Sequence, residues 1–318
     1  MLTDFCVFML SFSYTISLQL SDTLAHITQL RTHILSLPIT PKTEAKLTWE
    51  GTAIRTWATL ALAQYDLPKH HVATILAHPA KPNRATGMIL GQRDAYDFIH
   101  SSWRANPRPI PVAALETLFT IAYPRSRGFN VIEPALKELI DYLATEEEHP
   151  LTQASIAHLY ILTLPKLPDP GIFARLIHYL YLSKYGYDLR GYIAPDRVWQ
   201  ADGATYRRLS DTSAKTHTLT AWLEYMAQSM RTNLESIASD IRESRFHIEF
   251  PPSFWELSDR QKEILKRMAH PDATVTNRQV QKYFRVSQIT ASRDLSRLTS
   301  LGLLYPHGKG RSVYYTKI

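Results

Sequence analysis

The stretch "LTQASIAHLYILTLPKLPDPGIFARLIHYLYLSKYG", residues 151–186, decides the fold of this chain. Its two ends read as helices. In the second, Phe173, Leu176, Ile177 and Leu180 recur at i, i+3, i+4 and i+7, and Gly186 stands where a helix stops. The apolar frame suits a helix–loop–helix site that cradles a nucleotide. Such a cradle needs successive backbone N–H groups turned inward. Here Pro165, Pro168 and Pro170 remove three of them. The same prolines push Leu164, Leu167 and Asp169 toward extended backbone. The loop holds no histidine, and Lys166 would need a large pKa depression to act as a base. The stretch therefore reads as a scaffold whose loop cannot build a nest of the usual kind.

Outward from this pair the chain is mostly helical. Leu24, Ile27, Leu30 and Ile34 share one helical face, and "PITPKT" breaks that helix. A second helix is expected from about Glu44 to Ala63. Further helices are expected in "ATGMILGQRDAYDFIHSSW", "VAALETLFTIAY" and "EPALKELIDYLATEEE". The last long one is "TLTAWLEYMAQSMRTNLESIASDI", with Leu219, Trp222, Leu223, Met226 and Met230 on one face. "FHIEFPPSF" follows as a linker, because paired prolines stop regular structure.

The chain has 318 residues, 45% hydrophobic and 20% charged, which suits a soluble globular protein of more than one domain. One cysteine, Cys6, excludes an intramolecular disulfide and a cysteine-based zinc site. The apolar start "MLTDFCVFMLSF" lacks a basic region and carries Asp4, so no secretory signal is expected. No run reaches the ~18 apolar residues of a membrane span. A cytoplasmic location without membrane contact is expected. The net charge is +7, and residues 254–318 hold twelve Lys and Arg against five Asp and Glu, also +7. The first 253 residues are thus balanced, and the excess sits on the last fifth as a footprint for a polyanion.

That last fifth reads "LSDRQKEILKRMAHPDATVTNRQVQKYFRVSQITASRDLSRLTSLGLLYPHGKGRSVYYTKI", residues 257–318. Ser258 with Gln261 and Thr276 with Gln279 are capping boxes, and a third helix starts near Ser287. Ile264, Leu265 and Met268 form one apolar stripe. Val280, Tyr283 and Phe284 form the next, and Val286, Ala291, Leu295 and Leu298 the third. "GLLYP" and "SVYYTKI" alternate like strands around the cationic tip "HGKGR". The segment resembles a winged helix-turn-helix domain, which implies double-stranded DNA as partner. Its third helix would enter the major groove with Gln288, Ser292 and Arg293 at base edges. Arg278, Arg285, Arg297, Lys309 and Arg311 suit phosphates. A winged helix used only for protein contacts is the competing reading, and the retained basic face favours DNA.

Separated blocks of the first 250 residues resemble the Fic family: "KLTWEGTAIRTW", "GMILGQRDAYDFIH", "HPLTQASIAHLYILTL" and "ARLIHYLYLSKYGYDLRGYIAPDRVWQADGATYRRL". The resemblance implies a mainly α fold, with an N-terminal helical region over residues 1–110 and a core over 111–245. The winged helix would follow at 254–318. It also implies AMP transfer from ATP to a hydroxyl through the signature HPFxDGNGRxxR. There the His is the base, the acid holds Mg²⁺, the Gly-Asn-Gly amides hold phosphate and the Arg completes the grip. This chain has "LPKLPDPGIFAR", in which Asp169 to Arg175 is one residue shorter than the signature's spacing from the acid to the last Arg. Asp169, Gly171 and Arg175 are remnants, while the His, the Asn and the first Arg are missing. The family's inhibitory helix is echoed by Glu50 and Gly51, with Lys46 where Ser or Thr would stand. "HPAKPNR", His78 to Arg84, echoes the signature only superficially. His158 and His178 flank the loop as stand-in bases or as structural histidines.

Three functions follow from these readings. The first is a DNA-binding regulator, dimeric, whose degenerate body senses a ligand or dimerises. The second is an adenylyltransferase that still uses ATP and Mg²⁺ at an altered site. The third is a body that binds nucleotide without turnover. No metal-ligand set is expected, and no cofactor is secure.

Overall fold

A computed structural model describes residues 12–78, 83–124, 126, 128–145, 148–165, 167, 169–246, 257–268, 273–301, 303–308 and 313–317. The chain divides into two compact units. One takes the chain up to Leu37 with Leu47–Asp240, and the other takes Pro38–Lys46 with Ile241–Ile318. Among the described residues no helix is long and apolar enough to cross a membrane.

The body is helical throughout. Its elements are α1 (Leu18–Ser36), α2 (Pro41–Leu62), α3 (Lys69–Ala77), α4 (Arg84–Trp103), α5 (Val112–Ala122), α6 (Phe129–Thr145), α7 (Pro150–Thr163), α8 (Pro170–Lys184), α9 (Asp196–Ala201), α10 (Gly203–Thr216) and α11 (Thr220–Phe246). α7 and α8 are its centre. Every residue of α7 from Leu151 to Ile161 is buried, and so is every residue of α8 from Ile172 to Ser183. A helix apolar on all sides must be covered on all sides. Neighbours α4, α5, α6 and α10 supply the cover. The ends of α7 and α8 are local. His149 caps α7 by accepting from the Leu151 N–H at 3.2 Å, with Pro150 at the first helical position. Gly186 follows α8 at φ +69°, a left-handed stop that favours glycine.

Three expectations are revised here. α6 begins at Phe129 rather than Glu133, so Pro134 lies inside it. Phe129 and Ile132 are buried, with the Phe129 ring 5.5 Å from that of Phe119, and this packing holds a turn that proline alone would end. α3 was not anticipated; it is nine residues long and shows only Val72, Ile75 and Leu76 to the core. α8 starts at Pro170, so Pro170 and Gly171 belong to its first turn and not to the loop. Proline at the first helical position loses an N–H that the helix leaves unpaired anyway.

The C-terminal lobe contains α12 (Asp259–Arg267), β1 (Thr274–Thr276), α13 (Asn277–Phe284), α14 (Gln288–Ser300), β2 (Leu304–His307) and β3 (Tyr314–Lys317). Its antiparallel sheet has the order β1-β3-β2, with Val275 opposite Tyr315 and Pro306 opposite Tyr315 on the other side. Both expected capping boxes form, and Ser287 caps α14. Ile264, Leu265, Met268, Val280, Ala291, Leu295, Leu298 and Leu304 close one core. Tyr283 does not join it: 55% of it is exposed, and the Arg267 guanidinium lies 3.3 Å over its ring. Inside the lobe Asp294 is buried and accepts from Arg260 at 2.5 Å and from Gln261 at 2.9 Å, tying α14 to α12. The linker "FHIEFPPSF" lies outside the described residues beyond Phe246.

Candidate functional site

Two places carry the candidate residues. In the body it is the turn from α7 into α8. Leu164 leaves α7 at φ −70°, ψ 127°, and Asp169 enters α8 at φ −154°, ψ 83°. Leu164 is extended, as favoured before a proline, whereas Asp169 falls short of that range in ψ though it too avoids the helical region. The Tyr123 hydroxyl donates to the Asp169 carbonyl at 2.6 Å and fixes the entry. The Asp169 carboxyl faces the Gly171 and Ile172 N–H groups without reaching cap geometry. Partial burial raises its pKa, and Arg175 and those N–H groups oppose the rise.

Arg175 is the decisive side chain. It is 4% exposed, and its guanidinium folds back over the start of its own helix. A Cβ on Gly171 would come within 3.0 Å of Arg175 Nη1. The same guanidinium donates to the Thr59 carbonyl at 3.1 Å and to the Tyr206 hydroxyl at 3.5 Å. The place where an anion would meet the helix N-terminus is therefore taken by a carboxyl and a cation of the chain itself. Among the described residues the turn does not fit a triphosphate with its Mg²⁺. Lys166 and Pro168 lie outside the described residues. Among the described residues no group of His, Cys, Asp and Glu could hold a metal ion.

The two flanking histidines point inward. His158 is fully buried and its Nε2 lies 2.7 Å from the Tyr206 hydroxyl. His178 is 2% exposed, and the two imidazoles pack edge to face at 5.5 Å against Trp199. Burial lowers both pKa values, His178 to about 4 and His158 well below its ordinary value. Both are buried away from solvent, and burial makes each a weaker base than a free imidazole.

Glu50 and Gly51 have separate fates. Glu50 is exposed on α2. Gly51 is a packing glycine: an added Cβ would stand 2.3 Å from the Gly191 carbonyl oxygen. That close approach seats α2 on the turn at residues 189–193. Arg55, one turn later, is 1% exposed and donates to the carbonyls of Gly191, at 3.0 Å, and of Ile193. Its guanidinium also covers the rings of Tyr96 at 4.6 Å and Tyr179 at 4.2 Å. Asp196 is buried nearby, accepts from the Thr59 hydroxyl at 3.1 Å, and feels both Arg55 and Arg175. Arg55, Asp196 and Tyr206 were not singled out from the sequence. A lone arginine in the run "TAIRTWATLA" was the available signal for Arg55.

The second place is the outer face of α13 and α14. Gln288, Ser292, Arg293 and Arg297 are exposed on α14, and Arg278 is exposed on α13. Arg285 forms the turn between these helices at φ +51°, ψ 45°, a left-handed conformation unusual for arginine. Asn277 was also missed. Its Nδ2 donates to the Gln288 carbonyl at 3.3 Å and to the Ser292 hydroxyl at 2.7 Å. Lys309 and Arg311 lie outside the described residues.

No protein-family model and no curated protein matches the chain. Solved structures do. A Fic family protein from Desulfovibrio desulfuricans G20 aligns over 96% of this chain and 97% of its own, with a TM-score of 0.62 at 14% identity. The body has the Fic fold. Fic-1 from C. elegans, as a fragment of residues 134–508, aligns over 71% of this chain and 73% of that fragment, with a TM-score of 0.57 at 16% identity. At such identities the likeness concerns the path of the backbone.

Proposed function

We propose that this chain binds double-stranded DNA through its C-terminal lobe and regulates transcription, with the Fic-fold body as a non-catalytic partner that dimerises or senses a ligand. The single observation behind the reading is the placement of charge. All of the net +7 lies in residues 254–318, and α14 turns Gln288, Ser292, Arg293 and Arg297 to solvent from a small closed core. Gln suits the edge of adenine and Arg that of guanine, while Arg278 and Arg285 suit phosphates. The element order helix, strand, two helices and a two-stranded wing agrees with a winged helix-turn-helix. Two copies on two half-sites would multiply the modest affinity of one such lobe.

The filled helix start supports a body without transferase activity. The loop holds no histidine, and Arg175 is committed to Thr59 and Tyr206. The test is retention of genomic DNA fragments by the full chain at two salt concentrations. A discrete set of retained fragments, weakened by salt, supports the reading; no retained fragment rejects it. In parallel, labelled ATP with Mg²⁺ and lysate should label no protein, and labelling of any protein, this chain included, would restore the transferase.

A further inference from the structure

We propose that Ile289 reads the C5-methyl group of a thymine in the DNA site, an inference that rests on the DNA-binding reading above. α14 sorts its side chains well: Ala291, Leu295 and Leu298 are fully buried. Ile289 breaks that sorting. It is the second residue of the helix and 66% exposed. It lies beside Gln288, and Ser292 and Arg293 follow three and four residues later, so all share one surface. The first turn of a helix in the major groove is the part that meets base edges. There the edges are donors and acceptors, and the apolar group is the thymine methyl.

The local structure holds this residue ready. Asn277 on α13 bonds both the Gln288 carbonyl and the Ser292 hydroxyl, and Gln281 in turn donates to Asn277 Oδ1. The Ser292 hydroxyl accepts from Asn277, which leaves its proton to donate to a base acceptor. The first turn of α14 is thus pinned to α13. A β-branched side chain on it has little χ1 freedom left to lose. With Gln288 suited to adenine, the first turn of α14 is shaped for A·T pairs, while Arg293 one turn later suits guanine.

The experiment enriches duplexes from a random library on the full chain and then replaces each thymine of the winner by deoxyuridine, one position at a time. Loss of one buried methyl contact is about fourfold in affinity. Wild type should lose about that at one thymine, and Ile289→Ala should no longer distinguish dT from dU there while other positions behave as before. Ile289→Val should retain the distinction. Enrichment with equal dT and dU binding at every position overturns the inference and leaves the DNA reading standing. A shift of Ile289→Ala from dimer to monomer in sedimentation would assign the side chain to a second copy and also overturn it. Failure to enrich any duplex defeats the DNA reading itself, and this inference with it.

Discussion

Arg175→Met tests whether the arginine beside the α7–α8 turn is a structural pin or a phosphate ligand. Its guanidinium is 4% exposed and spends its hydrogen bonds on the Thr59 carbonyl and the Tyr206 hydroxyl, within reach of buried Asp196. Removing one member of a buried charged cluster costs about 3–5 kcal/mol, because the remaining groups lose their partner. A cation held ready for a ligand would have the opposite sign, since its loss relieves an unpaired buried charge. Denaturant unfolding followed by the fluorescence of buried Trp199 and Trp222 reports on the body. The variant should lose about 3 kcal/mol or more. Arg175→Met combined with Asp196→Asn should cost less than the two changes added, by more than ~0.5 kcal/mol, since the residues interact. Wild type should show no thermal shift with ATP and Mg²⁺, whereas a ligand at a hundred times its Kd would add about 2.7 kcal/mol. A variant as stable as wild type, joined to an ATP shift that the variant abolishes, would refute the reasoning.

Other outcomes follow from the same geometry. His178 has its pKa lowered to about 4 by burial, against about 6.5 unfolded, so the unfolded chain binds the extra proton between these values. Stability should therefore fall as pH drops from about 6.5 to 4, and His178→Leu should be less acid-sensitive by up to about 3 kcal/mol across that window in denaturant titrations; identical pH slopes would count against it. Gly51→Ala places a Cβ against the Gly191 carbonyl and should destabilise the body by about 1–3 kcal/mol in thermal melts, despite alanine's better helix propensity. Arg285→Gly relieves a left-handed arginine and should stabilise the C-terminal lobe by about 1 kcal/mol while weakening DNA binding at all sequences. Arg293→Ala should instead relax preference at one base position at a cost of about 1–3 kcal/mol, read by competition between duplexes.

Much of this was legible in local sequence. Caps at Ser258, Thr276 and Ser287 each depend on residues three positions apart, and each formed. Pro165 announced the extended exit of Leu164 from α7 because its constraint acts on the adjacent residue. Elements lacking a long period were harder: α3, α9 and β1 are nine, six and three residues long. Tyr283 sits three residues after Val280 and fits a stripe by spacing, yet Arg267 holds its ring at the surface. The polar network of the body was out of reach because its partners are distant in sequence. Arg55 meets Gly191 across 136 positions and Arg175 meets Thr59 across 116. Only folding shows that the remnant arginine is already engaged.

The most direct measurement is hydrogen exchange of the full chain with and without a retained DNA fragment. The account predicts slowed exchange over Asn277–Ser300, which spans α13, the Arg285 turn and α14, fading as salt is raised. Unchanged exchange across that segment on saturated DNA would contradict it.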